Sequence, residues 1–212
     1  MNKTIVLVNH WGQFESNHPN GSIEDFCRYY LGKQQRTKLK GVAVGGVIPS
    51  FTDGLLLKII GRIQKLNMNY ANLALKETGL NQIEEYGILQ TVKHGKNPKK
   101  TEVIYANLLE LSSGTDMLSR LKSRGLIKEY NDMADKRSKR IELTSKGEKA
   151  IELSKLKIFK NGKMLLDGLS EDDKELCIQV LTNIEIKFSA LWQKHKGKVF
   201  EEIFEEVVGE KA

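Results

Sequence analysis

Cysteine is scarce in this chain: Cys27 and Cys177 are the only two in 212 residues. A pair cannot build a metal site by itself and gives no disulfide framework, so a reducing, cytoplasmic setting is expected. Long apolar runs are also missing. No stretch approaches the roughly 18 apolar residues of a membrane span, and no amino-terminal leader pattern is legible, so a soluble chain without a membrane partner is expected. The four histidines, His10, His18, His94 and His195, are scattered without metal-ligand spacing and read as surface or hydrogen-bonded residues. The run Gly41-Val42-Ala43-Val44-Gly45-Gly46 lacks the glycine spacing and the Lys-Ser/Thr ending that cradle a phosphate. No catalytic constellation emerges, and no metal, cofactor or enzymatic activity is expected.

What the chain does have is helical periodicity. With 40% apolar residues it can bury a core as one elongated or two compact units. Leu55, Ile59, Ile63, Leu66, Tyr70 and Leu73 recur at intervals of three and four, which predicts a long amphipathic helix from Thr52 to near Gly79. Asn81 with Glu84 opens a second helix, and residues 101–109 form a third with Leu111 in the following turn. Later, Ser145 with Glu148 opens a helix toward Leu166, and Ser170 with Asp173 opens the next. That last helix carries Leu176, Val180, Leu181, Ile184, Phe188, Leu191 and Trp192, a wider apolar stripe than a thin module can bury against itself. Cys177 lies on this stripe and reads as packing. Toward the amino terminus, residues 3–32 predict two short helices, the second opened by Ser22 and Asp25 and bearing Phe26, Tyr29 and Tyr30. Residues 33–50 read as a solvated linker, with an arm along a polyanion as the alternative. Residues 199–212 are acidic, with Phe200, Ile203, Phe204 and Val207 at helical spacing, and predict a short docked helix.

Residues 112–147 are the most informative. Ser112 and Ser113 are N-cap types, and Ser113 with Asp116 suggests a capping box. Met117, Leu118 and Leu121 mark a buried side, while Thr115, Ser119 and Lys122 face solvent or phosphate. Gly125 stands where a helix C-cap needs positive φ. Next, residues 126–130 and 140–143 alternate apolar with polar around a turn-rich segment, as a hairpin does. Its tip carries Lys136, Arg137, Lys139 and Arg140, a shape suited to phosphates or a narrow minor groove. The chain's net charge is +7, and residues 93–149 hold 14 basic and 8 acidic residues, so most of that excess sits on this module. Such clustering is the electrostatic footprint of a nucleic-acid binder.

Three ordered motifs then resemble the winged helix-turn-helix of the MarR family of bacterial transcription regulators: Leu121-Lys122-Ser123-Arg124-Gly125-Leu126-Ile127, Asp135-Lys136-Arg137 and Leu143-Thr144-Ser145-Lys146-Gly147. In element order the resemblance covers roughly residues 52–192. It implies a mainly α fold with a small β-wing, a winged helix-turn-helix plus a helical dimerisation region. The boundaries it suggests are an extension and linker at 1–50, dimerisation helices at 52–92 and 145–196, the DNA-binding domain at 93–147 and an acidic tail at 197–212. Its implied partners are double-stranded DNA, a second copy of the chain and, as a candidate, a small-molecule effector. Carried over residue by residue, Ser113, Thr115, Ser119 and Lys122 would meet the major groove or its phosphates. Arg137 would enter the minor groove, Lys136, Lys139 and Arg140 would contact phosphates, and Asp135 would orient the wing, with Arg120 as its partner. Asp116 departs from the family pattern, either completing the capping box or accepting a bond from a cytosine amino group. Cys27 is a candidate redox sensor, against the plainer reading of a small buried hydrophobe. The resulting expectation is a homodimeric, ligand-responsive repressor of a palindromic operator; the alternative is a winged-helix protein-interaction module.

Overall fold

A computed structural model describes residues 2–38 and 49–209. The chain divides into two compact units, residues 1–60 and 61–212. In the first, α1 (Lys3–Asn17) and α2 (Ile23–Lys38) form a helical hairpin. Asn2 caps α1 by accepting from the Thr4 N–H at 2.9 Å. Ser22 and Asp25 exchange bonds at 3.0 and 3.1 Å, the reciprocal cap expected at the start of α2. The hairpin closes on aromatic rings: Phe14 and Phe26 are buried, and Phe26 meets Trp11 edge-on at 5.1 Å between centroids. Cys27 turns away from this cluster and is exposed, which corrects the reading of it as a buried hydrophobe. Part of the expected linker is helical too, since α2 continues to Lys38; residues 39–48, including the glycine-rich run, lie outside the described residues.

The long helix α3 (Thr52–Ala74) appears where its periodicity places it. After it come α4 (Ile83–His94), α5 (Lys100–Ala106), α6 (Leu111–Ser123), β1 (Ile127–Asn131), β2 (Lys139–Leu143), α7 (Ser145–Leu165), α8 (Glu171–His195) and α9 (Phe200–Val208). The strands pair antiparallel with Ile127 opposite Leu143 and Glu129 opposite Ile141. Ile88, Leu89, Ile104, Leu118, Leu121, Ile141 and Ile151 form the centre of one core shared by α4, α5, α6, the sheet and α7. Asn161, buried on α7, reaches Asn67 of α3 at 2.8 Å.

Several helix starts differ from the sequence reading, those of α4 and α7 because the capping bond comes from a residue distant from or adjacent to the expected one. The first N–H of α4, at Ile83, is capped at 2.8 Å by the Asn72 side chain of α3, not by Asn81. Leu111, expected in a turn, is the first residue of α6. Thr144, not Ser145, caps α7, its hydroxyl accepting from the Gly147 N–H at 3.1 Å. Ser170 caps α8 as expected. The acidic segment after residue 197 forms α9, held by Glu206, which ion-pairs with Lys194 at 2.6 Å and Lys198 at 2.5 Å. Those two lysines hold the Glu206 carboxyl at about 2, well below the ordinary 4.5.

The Leu-Thr-x-x-Gly motif acts as a clamp on the end of α6. Gly125, at φ +70°, donates to the Lys122 carbonyl at 2.8 Å while Leu126 donates to the Leu121 carbonyl at 3.0 Å, the pair of bonds that ends a helix on a left-handed residue. The Thr144 hydroxyl donates to the Gly125 carbonyl at 2.7 Å, and the Lys146 ammonium to the Arg124 carbonyl at 2.8 Å. Gly147 then lies against the Leu126 carbonyl so closely that a Cβ would stand 2.1 Å from its oxygen. A Gly147→Ala chain must therefore move backbone. A loss of about 3 kcal/mol is expected, the upper end for overpacking, which lowers Tm by roughly 6–12 °C for a unit of this size. Gly162→Ala on the same helix meets nothing within 4 Å and should leave Tm unchanged or raise it, because alanine is the better helix former by up to about 1 kcal/mol. Thermal denaturation of the two variants checks both signs.

Candidate nucleic-acid interface

Helix α6 buries Gly114, Met117, Leu118 and Leu121, which leaves Thr115, Ser119 and Lys122 along one outward stripe. Its cap residue is Glu110, whose side chain makes no capping bond. Ser113 is thus the third residue of the helix, not its cap, and the expected Ser113–Asp116 capping box does not form. Ser113 and Asp116 are both exposed. The Ser119 hydroxyl donates back to the Thr115 carbonyl at 2.9 Å. Glu110 lies 3.7 Å from Lys196, whose ammonium also sits over the Tyr105 ring, so the foot of α6 faces the end of α8.

At the other end of α6, Arg124 enters the protein. Its Nη2 lies 2.7 Å from Glu85, a fully buried carboxylate that also accepts from the Asn81 N–H at 2.8 Å, and its Nη1 donates to the Gly79 carbonyl at 3.3 Å. Removing Arg124 would leave the Glu85 charge buried alone, which costs about 3–5 kcal/mol. Neither residue carries a role in the sequence reading, where Arg124 is an unassigned position inside the first motif.

The wing is a tight turn built from two aspartates. Asp135 accepts from the Ser138 hydroxyl at 2.7 Å and from the Arg137 N–H at 3.1 Å, and these bonds hold its carboxyl below the ordinary value. Among the described residues no ion pair joins Asp135 to Arg120, so the expected orienting pair is not formed. The acid that anchors the wing is Asp132. It is buried, accepts from the Ala134 N–H at 2.9 Å and pairs with Arg140 Nε at 2.8 Å. The Ala134 bond does most to hold its carboxyl below the ordinary value; the charges of Arg140 and Lys99 add to it, against burial. Arg140 is therefore engaged in the wing's own structure, with about a third of its side chain exposed. Its Nη1 donates to the Asn97 carbonyl at 2.8 Å, its backbone bridges Lys99, and the Ile141 N–H donates to the Pro98 carbonyl at 3.0 Å. The wing is thereby tied to the loop that joins α4 to α5. Lys139 hydrogen-bonds Asn131, and Lys122 is drawn to Glu129 at 2.9 Å. Lys136 and Arg137 remain exposed, with no side-chain ion pair or hydrogen bond among the described residues.

Away from this face, a cavity of about 1080 Å³ opens between the end of α3, the loop before α4 and the end of α6. Leu73, Leu80 and Leu126 give it apolar walls, and Asn69, Asn72, Lys76 and Lys146 supply polar ones. No group of three or more His, Cys, Asp or Glu side chains that could hold a metal occurs among the described residues. No helix among them is long and apolar enough to cross a membrane.

The two aspartates of the wing separate by experiment. At neutral pH Asp132→Asn should lower Tm more than Asp135→Asn, since only Asp132 is buried against an arginine. Both carboxyls titrate below the ordinary 3.8, so their stabilisation is complete above that value and is lost as the pH falls through the lower folded-state pKa. The gap between wild type and Asp132→Asn should accordingly close as the pH is taken below 3.8; equal melting temperatures for the two variants at pH 7 contradict the assignment.

No protein-family model matches the chain, and no curated protein matches it. Solved structures do. A cysteine-to-serine mutant of MarR from E. coli, complexed with operator DNA, aligns with 19% identity and a TM-score of 0.58, over 61% of this chain and 92% of that one. The transcriptional regulator SlyA aligns with 20% identity and a TM-score of 0.60, over 66% and 99%. PcaV from Streptomyces coelicolor, in complex with its natural ligand, aligns with 20% identity and a TM-score of 0.55, over 60% and 89%. Helix α6, the β1–β2 wing and the helices around them thus have the winged-helix fold of MarR-type transcriptional regulators.

Proposed function

We propose that this protein is a homodimeric DNA-binding transcription regulator of MarR type, a ligand-responsive repressor that acts in the cytoplasm on a palindromic operator. The observation that carries the reading is the pair of unengaged cations, Lys136 and Arg137, at the tip of a hairpin anchored by Asp132 and Arg140. Rigid anchorage with a free basic tip is what a minor-groove probe requires. Beside it, α6 offers Ser113, Thr115 and Ser119 to a major groove. Operator DNA is bound by the E. coli relative of the same fold.

The dimer follows from α8. Val180, Ile184 and Phe188 lie at helical spacing and are 51%, 50% and 44% exposed in the single chain. Cys177, expected to be packed, is exposed on the same helix. Ile63, Leu66 and Tyr70 of α3 are exposed as well. Apolar faces of this extent mark an interface, and a second copy covers them with two-fold symmetry, placing two α6 helices for two half-sites. The effector site is assigned to the cavity beside α3, because Ser123 and Arg124 of α6 form part of its wall. An occupant there bears on the end of the recognition helix. PcaV, with its bound natural ligand, supports effector binding by this fold.

The first test is selection from a pool of randomised duplexes near physiological salt. The expected result is an enriched inverted repeat with half-sites about one helical turn apart. Retention without enrichment means backbone binding only, and no retention with or without candidate ligands favours a winged-helix protein-interaction module. On the selected site, Arg137→Ala should weaken binding roughly tenfold or more, about 1.4 kcal/mol, whereas Lys3→Ala on α1 should not. Equal small losses in an equilibrium titration contradict the role given to Arg137.

A further inference from the structure

Glu129 occupies a position where the strand pattern calls for an apolar side chain. Residues directly opposite in an antiparallel pair share a face, so Glu129, opposite Ile141, lies on the same side as Ile127 and Leu143. Ile127 and Ile141 are buried there. A carboxylate at such a place is costly unless it is matched, and Glu129 is matched twice. Its Oε2 stands 2.9 Å from Lys122 Nζ and its Oε1 3.5 Å from Lys100 Nζ, and its side chain is 12% exposed. Burial pushes the carboxyl's pKa up, but the Lys122 hydrogen bond and the Lys100 charge outweigh it and hold the group below its ordinary value. Glu129 is therefore charged throughout the neutral range.

The two lysines are not placed at random. Lys122 continues the outward stripe of α6 after Thr115 and Ser119, and Lys100 is the first residue of α5. Left alone, each is a cation beside the proposed groove-facing surface. A phosphate that approaches either one competes for its charge with a largely buried carboxylate. We infer that Glu129 is a specificity-determining residue that withholds Lys122 and Lys100 from the DNA backbone. The consequence lies in the balance of contacts. Phosphate contacts carry no sequence information, so two fewer of them lower the affinity for every duplex alike and leave discrimination to the tip of the wing and the start of α6. The inference rests on the DNA-binding reading above.

The experiment is a salt titration of binding to a fluorescently labelled duplex of scrambled sequence, for the full-length wild type, Glu129→Gln and Glu129→Met. The methionine variant guards against a fold that tolerates no polar group there: it sets an apolar side chain of similar length beside Ile127 and Ile141, and the lysines it frees are partly exposed and can be hydrated where they stand. Counterion release gives a slope of about 0.9 per phosphate neutralised. The variants should bind more tightly at low salt, with slopes steeper by up to about 1.8, so that their advantage falls roughly tenfold between about 50 and 200 mM salt. Adding Lys100→Gln and Lys122→Gln to Glu129→Gln should return the slope to that of the wild type. Wild type and both variants binding with one common slope overturns the inference and leaves the DNA-binding reading standing, as does a steep slope that persists without the two lysines. No binding by any of the proteins overturns both.

Discussion

The buried ion pair between Glu85 and Arg124 is the constraint on which the arrangement of the winged module depends. Arg124 closes α6, and its guanidinium joins the Glu85 carboxylate of α4 to the Gly79 carbonyl of the preceding loop. Glu85 is fully buried while Arg124 is partly exposed, so the carboxylate cannot relax into water if the arginine moves away. The end of α6 is held a second time by α7, through Thr144, Lys146 and the close approach of Gly147 to the Leu126 carbonyl. Because β1 begins just beyond this junction, the direction of α6 and the origin of the wing are set together. The outward stripe of α6 and the hairpin tip then have a fixed relation, set from this shared junction.

Acidic residues of the module act as anchors. Asp132 takes Arg140, Glu129 takes Lys100 and Lys122, Glu85 takes Arg124, and Glu142 takes Lys128. Much of the basic charge visible in composition is therefore paired within the protein. Most of the named cations stabilise the frame or are neutralised by it, while Lys136 and Arg137 stand free at the tip. A net charge describes long-range attraction to a polyanion, but which cations can touch a phosphate depends on which acids are near enough to hold them.

Much of the fold was legible in local pattern. The α3 periodicity, the Ser22–Asp25 and Ser170–Asp173 caps, the glycine that ends α6 and the alternating strands all appear as expected, because each involves residues within a turn or two of one another. Ser113 and Ser145 are good cap types, yet α6 begins earlier, at Leu111, and α7 is capped by the neighbouring Thr144, whose hydroxyl also has carbonyls of residues 125 and 126 within reach. Asn72 caps α4 from another helix. At the wing, two aspartates three residues apart could each form the same kind of turn, and local chemistry gave no means of telling which would be buried against an arginine.

The sequence by itself determined the kind of module this is, since helical period, strand alternation, the Gly125 turn and the Leu143–Gly147 motif are short-range properties that survive without knowledge of neighbours. Tertiary structure alone decided which charged side chains are engaged within the protein. Arg140 and Lys122 read as unpaired cations until folding brings Asp132 and Glu129 beside them, and Asp135 reads as the anchor until Asp132 is seen buried. The physical reason is range: a hydrophobic pattern is written along one element, whereas a charge changes its role according to whichever opposite charge the fold places within a few ångströms, in a medium where leaving it unmatched is costly.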